Sequence, residues 1–220
     1  MTKNILIVFF FLTALFTQAQ ERKEYDTDHY RERMAYFEQN PIGENKIVFL
    51  GNSLTEGGQW DKYFPEAAPV NRGISGDNTE GMLNRIDEIA ESHPRFLFIL
   101  AGINDISQDS PNKKIIKQYR SMIKQVKKES PNTVIYIQSL LPINNDFERY
   151  KRLLGKEKQI GKLNKELKKL ASKERVSFLN INPLYMDVQG KLDTKYTNDG
   201  LHLTETSYDI WVNELHKYIN

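Results

Sequence analysis

The feature that most constrains the fold is an alternation of short apolar runs with segments of helical periodicity. The runs lie at Lys46–Leu50, Val70–Arg72, Phe96–Leu100, Thr133–Gln138 and Val176–Ile181. Continuous apolar runs of this length are typical of strands in a parallel sheet that is buried on both faces. The repeated alternation of strand and helix therefore predicts an α/β class fold, a doubly wound three-layer α/β/α sandwich around a five-stranded parallel sheet.

The segments between and after these runs carry apolar residues at intervals of three or four, which predicts helices with one buried stripe each. The predicted stripes are Leu83, Ile86 and Ala90; Ile115, Tyr119, Met122 and Val126; Ile160, Leu163, Leu167 and Leu170; and Tyr208, Trp211, Leu215 and Tyr218. A polar helix is predicted over Glu21–Gln39, with a stripe of Tyr30, Met34 and Phe37. Asp77-Asn78 is expected to begin the first of the four striped helices, and Thr204 to cap the last.

The first 19 residues differ from the rest of the chain. Lys3 precedes an apolar run from Ile5 to Phe16, and Thr17-Gln18-Ala19 follows as a small-residue cleavage site. This order predicts a signal peptide cleaved after Ala19, and hence export to the periplasm or beyond; a buried helix of the mature fold is the alternative. The run is shorter than the roughly 20 residues of a membrane span, and no later segment is apolar enough for one. Residues 20–220 are then expected to form a single domain.

Composition excludes several classes of function. A formal net charge of +2 over 220 residues gives no support to nucleic-acid binding. The chain has no cysteine, which rules out disulfides, thiolate nucleophiles and cysteine-ligated metals. His29, His93 and His216 show no spacing that suggests a metal site. The lysine-rich stretch Lys156–Lys173 has an apolar stripe and interspersed glutamates, as expected for the solvated face of a packed helix.

Four polar or glycine-containing stretches are predicted to meet at one edge of the sheet. Ser53 follows the first strand, Asn71–Asp77 the second and Gly102–Asp105 the third, whereas Asp199–His202 lies just before the last helix. Right-handed crossovers place the C-terminal ends of all parallel strands on the same edge, where ligands bind in open α/β sheets. We therefore expect a functional site there.

The residue types in these stretches suit acyl transfer. A serine hydroxyl such as that of Ser53 needs a base to take its proton, and histidine fills that role near neutral pH. His202 follows Asp199 by three residues, so one loop can supply the base and the carboxylate that orients it. The backbone N–H groups of Ser53 and Gly73, with the amide of Asn104, are predicted to form an oxyanion hole, in which each donor can be worth about 10²–10³ in rate.

These stretches resemble the four sequence blocks of the SGNH or GDSL-type serine hydrolases. They read GNSLT (Gly51–Thr55), NRGISGD (Asn71–Asp77), GIND (Gly102–Asp105) and DGLH (Asp199–His202), in the family's order and over nearly the whole mature chain. The resemblance implies a flavodoxin-like fold and hydrolysis of esters, often acyl groups on sugars or lipids, without a cofactor or a metal. It assigns the same roles to Ser53, Gly73, Asn104, Asp199 and His202.

The first block departs from the family pattern at Asn52, where aspartate is usual. The amide keeps its hydrogen-bonding capacity but removes a negative charge beside the nucleophile, a change expected to alter pH dependence or substrate preference. Asn52 is therefore a candidate to line the substrate pocket. Thr55 occupies the place of the second glycine in the Gly-x-Ser-x-Gly elbow, which makes an ordinary α/β-hydrolase less consistent with the sequence. Trp60 is predicted either to line the substrate pocket or to lie in the core. Asp105 is expected to be structural.

The function predicted from the sequence is that of an exported serine esterase acting on short acyl esters, acetyl groups above all, on carbohydrate. A lysophospholipase or general acylhydrolase is the first alternative. The second is a non-catalytic glycan-binding protein on the same fold, which would not need both Ser53 and His202. The expected partner is a small-molecule or glycan ester, and the sequence predicts no oligomeric state.

Overall fold

A computed structural model of the chain describes residues 23–219. Its core is a five-stranded parallel sheet with the strand order β2-β1-β3-β4-β5. The strands are β1 (Ile47–Gly51), β2 (Pro69–Gly73), β3 (Phe96–Leu100), β4 (Val134–Gln138) and β5 (Ser177–Leu179). This order is that of flavodoxin-like doubly wound sheets, so the predicted fold class is confirmed.

Nine α-helices flank the strands in the described part of the chain. They are α1 (Asp28–Gln39), α2 (Ser53–Glu56), α3 (Trp60–Tyr63), α4 (Thr79–Asn84), α5 (Ile86–Glu91), α6 (Ile103–Ser107), α7 (Asn112–Glu129), α8 (Glu157–Glu174) and α9 (Tyr208–Leu215). Short 3₁₀ turns, among them Lys151–Leu153 and Glu205–Ser207, occur in the connections. The stripes predicted for α7 and α8 are buried along their whole length.

The sheet has one hydrophobic cluster on each face, because successive side chains of a strand point in opposite directions. Val48 and Leu50 of β1 pack with the stripes of α4, α5, α7 and α8. Ile47 and Phe49 belong to the second cluster, together with Trp60 and the buried face of α9. The two clusters account for the three layers and leave the C-terminal edge of the strands to carry the polar loops.

Several element boundaries differ from the predicted ones. The helix predicted over Glu21–Gln39 begins only at Asp28, where the Thr27 hydroxyl caps it by accepting the Tyr30 N–H at 3.1 Å. The predicted helix that carries Leu83 and Ile86 is two helices, because Arg85 has a non-helical backbone (φ −117°, ψ 15°).

The end of the chain also departs from its predicted pattern. Tyr218 lies beyond the end of α9 and is exposed. Thr204 precedes the 3₁₀ turn Glu205–Ser207, so it does not cap α9 directly. The predicted signal peptide lies outside the described residues. None of the helices within residues 23–219 has the length and apolar character that crossing a membrane requires.

Candidate active site

Ser53 stands at the point where β1 gives way to α2. The Asn52 side chain caps this short helix by accepting the Leu54 N–H at 3.1 Å, and Ser53 is the first helical residue. The turn is tight, since a Cβ on Gly51 would lie 2.0 Å from the Thr55 hydroxyl oxygen and 2.9 Å from the Leu100 carbonyl oxygen. The end of a buried strand and the start of a capped helix thus fix the backbone of the serine.

Asp199 and His202 are brought to Ser53 by the loop that precedes α9. Gly200 takes a left-handed conformation (φ +83°), and a Cβ there would lie 2.2 Å from the Asn144 carbonyl oxygen. The loop closes on itself, because the Asp199 Oδ1 accepts the N–H groups of Leu201 and His202 at 2.9 and 2.8 Å. These two bonds from the backbone fix the orientation of the Asp199 carboxylate that the imidazole contacts.

The three side chains form a continuous hydrogen-bonded relay. Ser53 Oγ lies 3.0 Å from His202 Nε2, and His202 Nδ1 lies 2.8 Å from Asp199 Oδ2. Burial opposes ionisation of Asp199, but the hydrogen bonds it accepts from His202, Leu201 and Tyr150 outweigh burial and hold its pKa well below the usual range. A permanently ionised carboxylate on Nδ1 leaves Nε2 free to accept the serine proton.

Tyr150 is a fourth member of this relay that the sequence analysis missed. Its hydroxyl donates to Asp199 Oδ2 at 2.7 Å and lies 2.9 Å from His202 Nδ1. Burial and the neighbouring Asp199 raise the pKa of Tyr150 to about 12, so the phenol stays protonated. No local pattern identifies this tyrosine, because it lies outside the four blocks in an irregular segment between β4 and α8.

Asn104 lies on α6, directly after the Gly102 turn that follows β3. Its Nδ2 donates to the Asp77 carbonyl oxygen at 2.8 Å, which orients the amide. Asp77 is anchored in turn by Arg85, whose Nε and Nη2 reach Asp77 Oδ2 at 3.0 and 2.9 Å with both side chains fully buried. Burial raises the pKa of Asp77 to about 6, although Arg85 acts in the opposite direction. This ion pair supports the loop that carries the amide partner of Asn104.

The prediction that Gly73 donates to the oxyanion is wrong. Its N–H is already bonded to Asn71 Oδ1 at 2.9 Å, and Gly73 is the last residue of β2. A Cβ on Gly73 would lie 2.2 Å from the Glu56 nitrogen, so this glycine is required for β2 to pack against α2. Its role is structural.

Gly76, three residues later in the same stretch, has a more open environment, with no atom within 4 Å of an added Cβ. It lies on the wall of the cleft with Ser53 and Asn104, and its positive φ (+81°) turns the loop there. Within residues 23–219 no hydrogen bond engages the Gly76 N–H. Glu56 stabilises this loop, because its Oε2 accepts hydrogen bonds from both the N–H and the hydroxyl of Ser75 at 2.5 Å.

Neither residue proposed to line the substrate pocket does so. Trp60 is only 2% exposed and stacks on Phe49 with ring centroids 4.0 Å apart, and its indole N–H donates to the Thr55 carbonyl oxygen. It therefore belongs to the core. Asn52 is buried and is occupied in capping α2. The capping bond needs only a side-chain oxygen, which asparagine supplies as well as aspartate does.

Asp105 is structural, as expected. Its carboxylate accepts the Thr79 N–H at 3.0 Å and the Thr79 hydroxyl, which ties α6 to the start of α4. Burial is the main reason that its pKa is raised. Among the described residues no group of three or more histidine, aspartate or glutamate side chains is arranged to hold a metal ion.

The relay opens into a cleft of about 610 Å³, a size usual for small-molecule sites. Ser53, Asn104 and His202 lie in its wall together with Gly76. Further polar lining comes from Ser75, Ser107 and the segment that contains Tyr150. The cleft thus presents a hydroxyl, a base and amide hydrogens to one small volume.

Two curated relatives each match more than three quarters of this chain. The chain is similar to the N-acylneuraminate cytidylyltransferase of Escherichia coli O18:K1:H7 (strain RS218 / NMEC), with 28% identity over 173 residues; the match covers 77% of this chain and only 39% of that protein. It is also similar to platelet-activating factor acetylhydrolase IB subunit alpha1 of Rattus norvegicus, with 25% identity over 182 residues that cover 80% of this chain and 75% of the relative.

A solved structure and a family model extend the comparison. The fold matches that of a GDSL-like lipase from Bacteroides thetaiotaomicron with a TM-score of 0.75 and 24% identity, over 86% of this chain and 96% of that one. Residues 49–210, well over half of the chain, match the family model described as GDSL-like Lipase/Acylhydrolase. The protein therefore belongs to the GDSL-like lipase/acylhydrolase family, whose members are serine hydrolases acting on ester bonds.

Proposed function

We propose that this hydrolase is a short-chain esterase in which Ser53, His202 and Asp199 act as a catalytic triad. The observation that carries the proposal is the 3.0 Å contact between Ser53 Oγ and His202 Nε2, with Asp199 on the other ring nitrogen at 2.8 Å. A nucleophile bonded to a base, and a base bonded to an orienting carboxylate, is the arrangement that activates a serine hydroxyl. A glycan-binding protein without catalysis would have no need of it.

In the proposed reaction Ser53 Oγ attacks the ester carbonyl carbon while its proton passes to His202 Nε2. The tetrahedral intermediate collapses as His202 returns that proton to the leaving alcohol, and the acyl group remains on Ser53. Water then attacks the acyl-enzyme with His202 again as base, which releases the acid and restores the serine. No metal or organic cofactor takes part.

The oxyanion is proposed to bind the N–H groups of Ser53 and Gly76 and the Nδ2 of Asn104. Among residues 23–219 neither backbone group has a hydrogen-bond partner, so both are available. The second hydrogen of the Asn104 amide is also unused, because the first is bound to Asp77. Donors fixed in advance cost no reorganisation when the charge develops.

We propose an acetyl or other short acyl group on carbohydrate as the substrate. Ser75 and Ser107 lie in the wall of the cleft, where their hydroxyl oxygens can accept hydrogen bonds from a polar alcohol. The name of the rat relative, an acetylhydrolase, favours acetyl as the acyl group. Lysophospholipid or general acyl-ester hydrolysis is the alternative.

The test is a series of p-nitrophenyl esters from acetate to dodecanoate, assayed with the purified protein. We expect kcat/KM to be highest for acetate and to fall as the acyl chain lengthens. A maximum at the long chains would replace the proposed substrate with the lipid alternative. Absence of hydrolysis at every chain length would reject the esterase function itself.

Tyr150→Phe is expected to lower kcat about three- to tenfold and to change KM less than twofold. Tyr150 is proposed as a positioning residue that orients Asp199 and His202, so its loss acts on the transition state and not on the ester. The His202 Nδ1–H resonance in the proton NMR spectrum should also move. Tyr36→Phe, at an exposed position on α1, is the matched control. A rise in KM with kcat unchanged would show that Tyr150 binds substrate instead.

Export is proposed from residues 1–19 alone, through their positive start and apolar run. N-terminal sequencing of the protein recovered from its native host's envelope or medium should begin at Gln20. Recovery of chains that still begin with Met1 in the cytoplasm would contradict it.

A further inference from the structure

The charged side chains that line the active-site cleft are all basic. Three cationic side chains line it, Arg149, Lys151 and Arg152, and no aspartate or glutamate is among the residues of its wall in the described part of the chain. All three belong to a segment that we call the basic segment, residues 149–153. The overall charge of +2 does not reveal this concentration.

Two of the three cations form no direct ion pair with a carboxylate of residues 23–219. Lys151 Nζ pairs with Glu148 Oε2 at 3.0 Å, so its charge is largely offset. Both arginines are exposed, and Arg149 interacts with the Tyr150 side chain. Lys156, which is paired with Asp109, and to a smaller extent Arg152 lower the pKa of Asp109. Two other arginines of the surface are paired directly, Arg31 with Asp26 and Arg120 with Glu174.

The basic segment is fixed relative to the catalytic groups. Tyr150 is bonded to Asp199 and His202, and Leu153 is buried in the core at 3% exposure. The Leu153 N–H donates to the Tyr150 carbonyl oxygen at 2.9 Å, and Asn145 Nδ2 binds the Leu153 carbonyl oxygen. The backbone that carries Arg149 and Arg152 is therefore anchored at two points, at Tyr150 beside the imidazole and at Leu153 in the core.

The position of the basic segment indicates which part of a substrate it faces. The leaving oxygen must lie close to His202 Nε2 to receive its proton, so the alcohol portion of the ester extends towards the imidazole. The basic segment lies beside that imidazole, through Tyr150. Guanidinium groups bind carboxylate, phosphate and sulfate through paired N–H donors.

We propose that this cleft selects esters whose alcohol portion carries a negatively charged group, and that Arg149 and Arg152 bind that group. The proposal rests on the proposed esterase function and specifies its substrate class. An acylated sugar acid or a lipid with an anionic headgroup would each supply the required charge next to an ester.

The test compares three aryl acetates with different charges on the alcohol side: 3-acetoxybenzoate (anionic), phenyl acetate (neutral) and 3-acetoxy-N,N,N-trimethylanilinium (cationic). The measured quantity is kcat/KM for each charged ester divided by that for phenyl acetate. Because the ratio is compared between variants of one enzyme, the intrinsic reactivity of each ester cancels.

In the double variant Arg149→Gln/Arg152→Gln we expect the anionic ratio to fall about fivefold at low salt, the size typical of two exposed charge pairs. The cationic ratio should rise. About 1 M NaCl should reduce the difference between wild type and variant, because the Debye length is then about 3 Å. Lys151→Gln should change the ratio less, since Glu148 already pairs with that lysine.

The remote variant Lys124→Gln/Lys128→Gln removes the same total charge from α7 and should leave the anionic ratio unchanged. Two further pairs of substrates identify which kind of molecule carries the anion. Turnover of acetylated galacturonate is compared with that of acetylated galactose, and turnover of lysophosphatidylglycerol with that of monoacylglycerol. The pair whose turnover depends on Arg149 and Arg152 identifies it.

Hydrolysis of phenyl acetate with equal anionic ratios in wild type and Arg149→Gln/Arg152→Gln would overturn the charge proposal and leave the esterase intact. An equal fall in the remote variant would overturn it as well, because the effect would then be one of net charge. Failure to hydrolyse any of the esters would instead reject the proposed function.

Discussion

Replacing Ser53 with alanine is expected to lower kcat on p-nitrophenyl acetate by about 10⁴- to 10⁶-fold, the loss usual when the nucleophile of a triad is removed. The methyl group cannot form the acyl-enzyme, so only hydrolysis assisted by the remaining cleft would persist. KM should change little, because the Ser53 Oγ contributes mainly to the chemical step. Initial rates under saturating ester, with wild-type contamination excluded by mass spectrometry, measure the effect.

Ser172→Ala is the matched control for this variant, since it makes the same change at an exposed position on α8. It should retain wild-type kcat. Thermal unfolding should give the same midpoint for Ser53→Ala as for the wild type within a few degrees. Equal esterase rates for Ser53→Ala and wild type would show that another group attacks the ester.

Asn104→Ala is expected to lower kcat by about 10²–10³-fold, the cost typical of losing one side-chain donor from an oxyanion hole. The amide binds oxygen more strongly in the tetrahedral intermediate than in the planar ester, so KM should stay within about threefold. Steady-state kinetics on p-nitrophenyl acetate separates the two constants.

The interpretation of Asn104→Ala requires the fold to be intact, because Asn104 Nδ2 also donates to the Asp77 carbonyl oxygen. Circular dichroism and the unfolding midpoint provide that check, with Asn112→Ala at the start of α7 as a control of the same chemistry. A large rise in KM with kcat unchanged would mean that Asn104 binds the ester in its ground state, and would remove it from the oxyanion hole.

The sheet can be predicted from the sequence because it depends on strong local patterns. Apolar runs located all five strands, and the parallel arrangement placed Ser53 and the Asp199–His202 loop at one edge. The structure brings Ser53 and His202 into hydrogen-bonding contact across 149 residues of chain. This agreement follows from topology, since every strand of a parallel sheet ends on the same side.

What the sequence could not supply depends on contacts between segments. Gly73 and Gly76 lie in one glycine-containing stretch, and only the end of β2 at Gly73 shows which of their N–H groups is free. The two glycines lie three residues apart, and no local pattern in the sequence distinguishes them. Tyr150 and the basic segment reach the cleft through an irregular connection whose path has no periodic signal.

Trp60 illustrates a different limit. A large aromatic residue shortly after the nucleophile is equally consistent with a pocket wall and with the core. Its stacking on Phe49, in the strand that leads to Ser53, decides for the core. Such contacts depend on how two elements pack, which the identity of one residue does not determine.

The central claim is that Ser53 is the nucleophile of an acyl-transfer reaction. The most direct measurement is to treat the purified protein with a fluorophosphonate and to locate the modified residue by peptide mass spectrometry. We predict one adduct, on Ser53, formed in parallel with loss of esterase activity and absent from Ser53→Ala. Loss of activity with the adduct on a different residue, while the Ser53 peptide stays unmodified, would contradict the account.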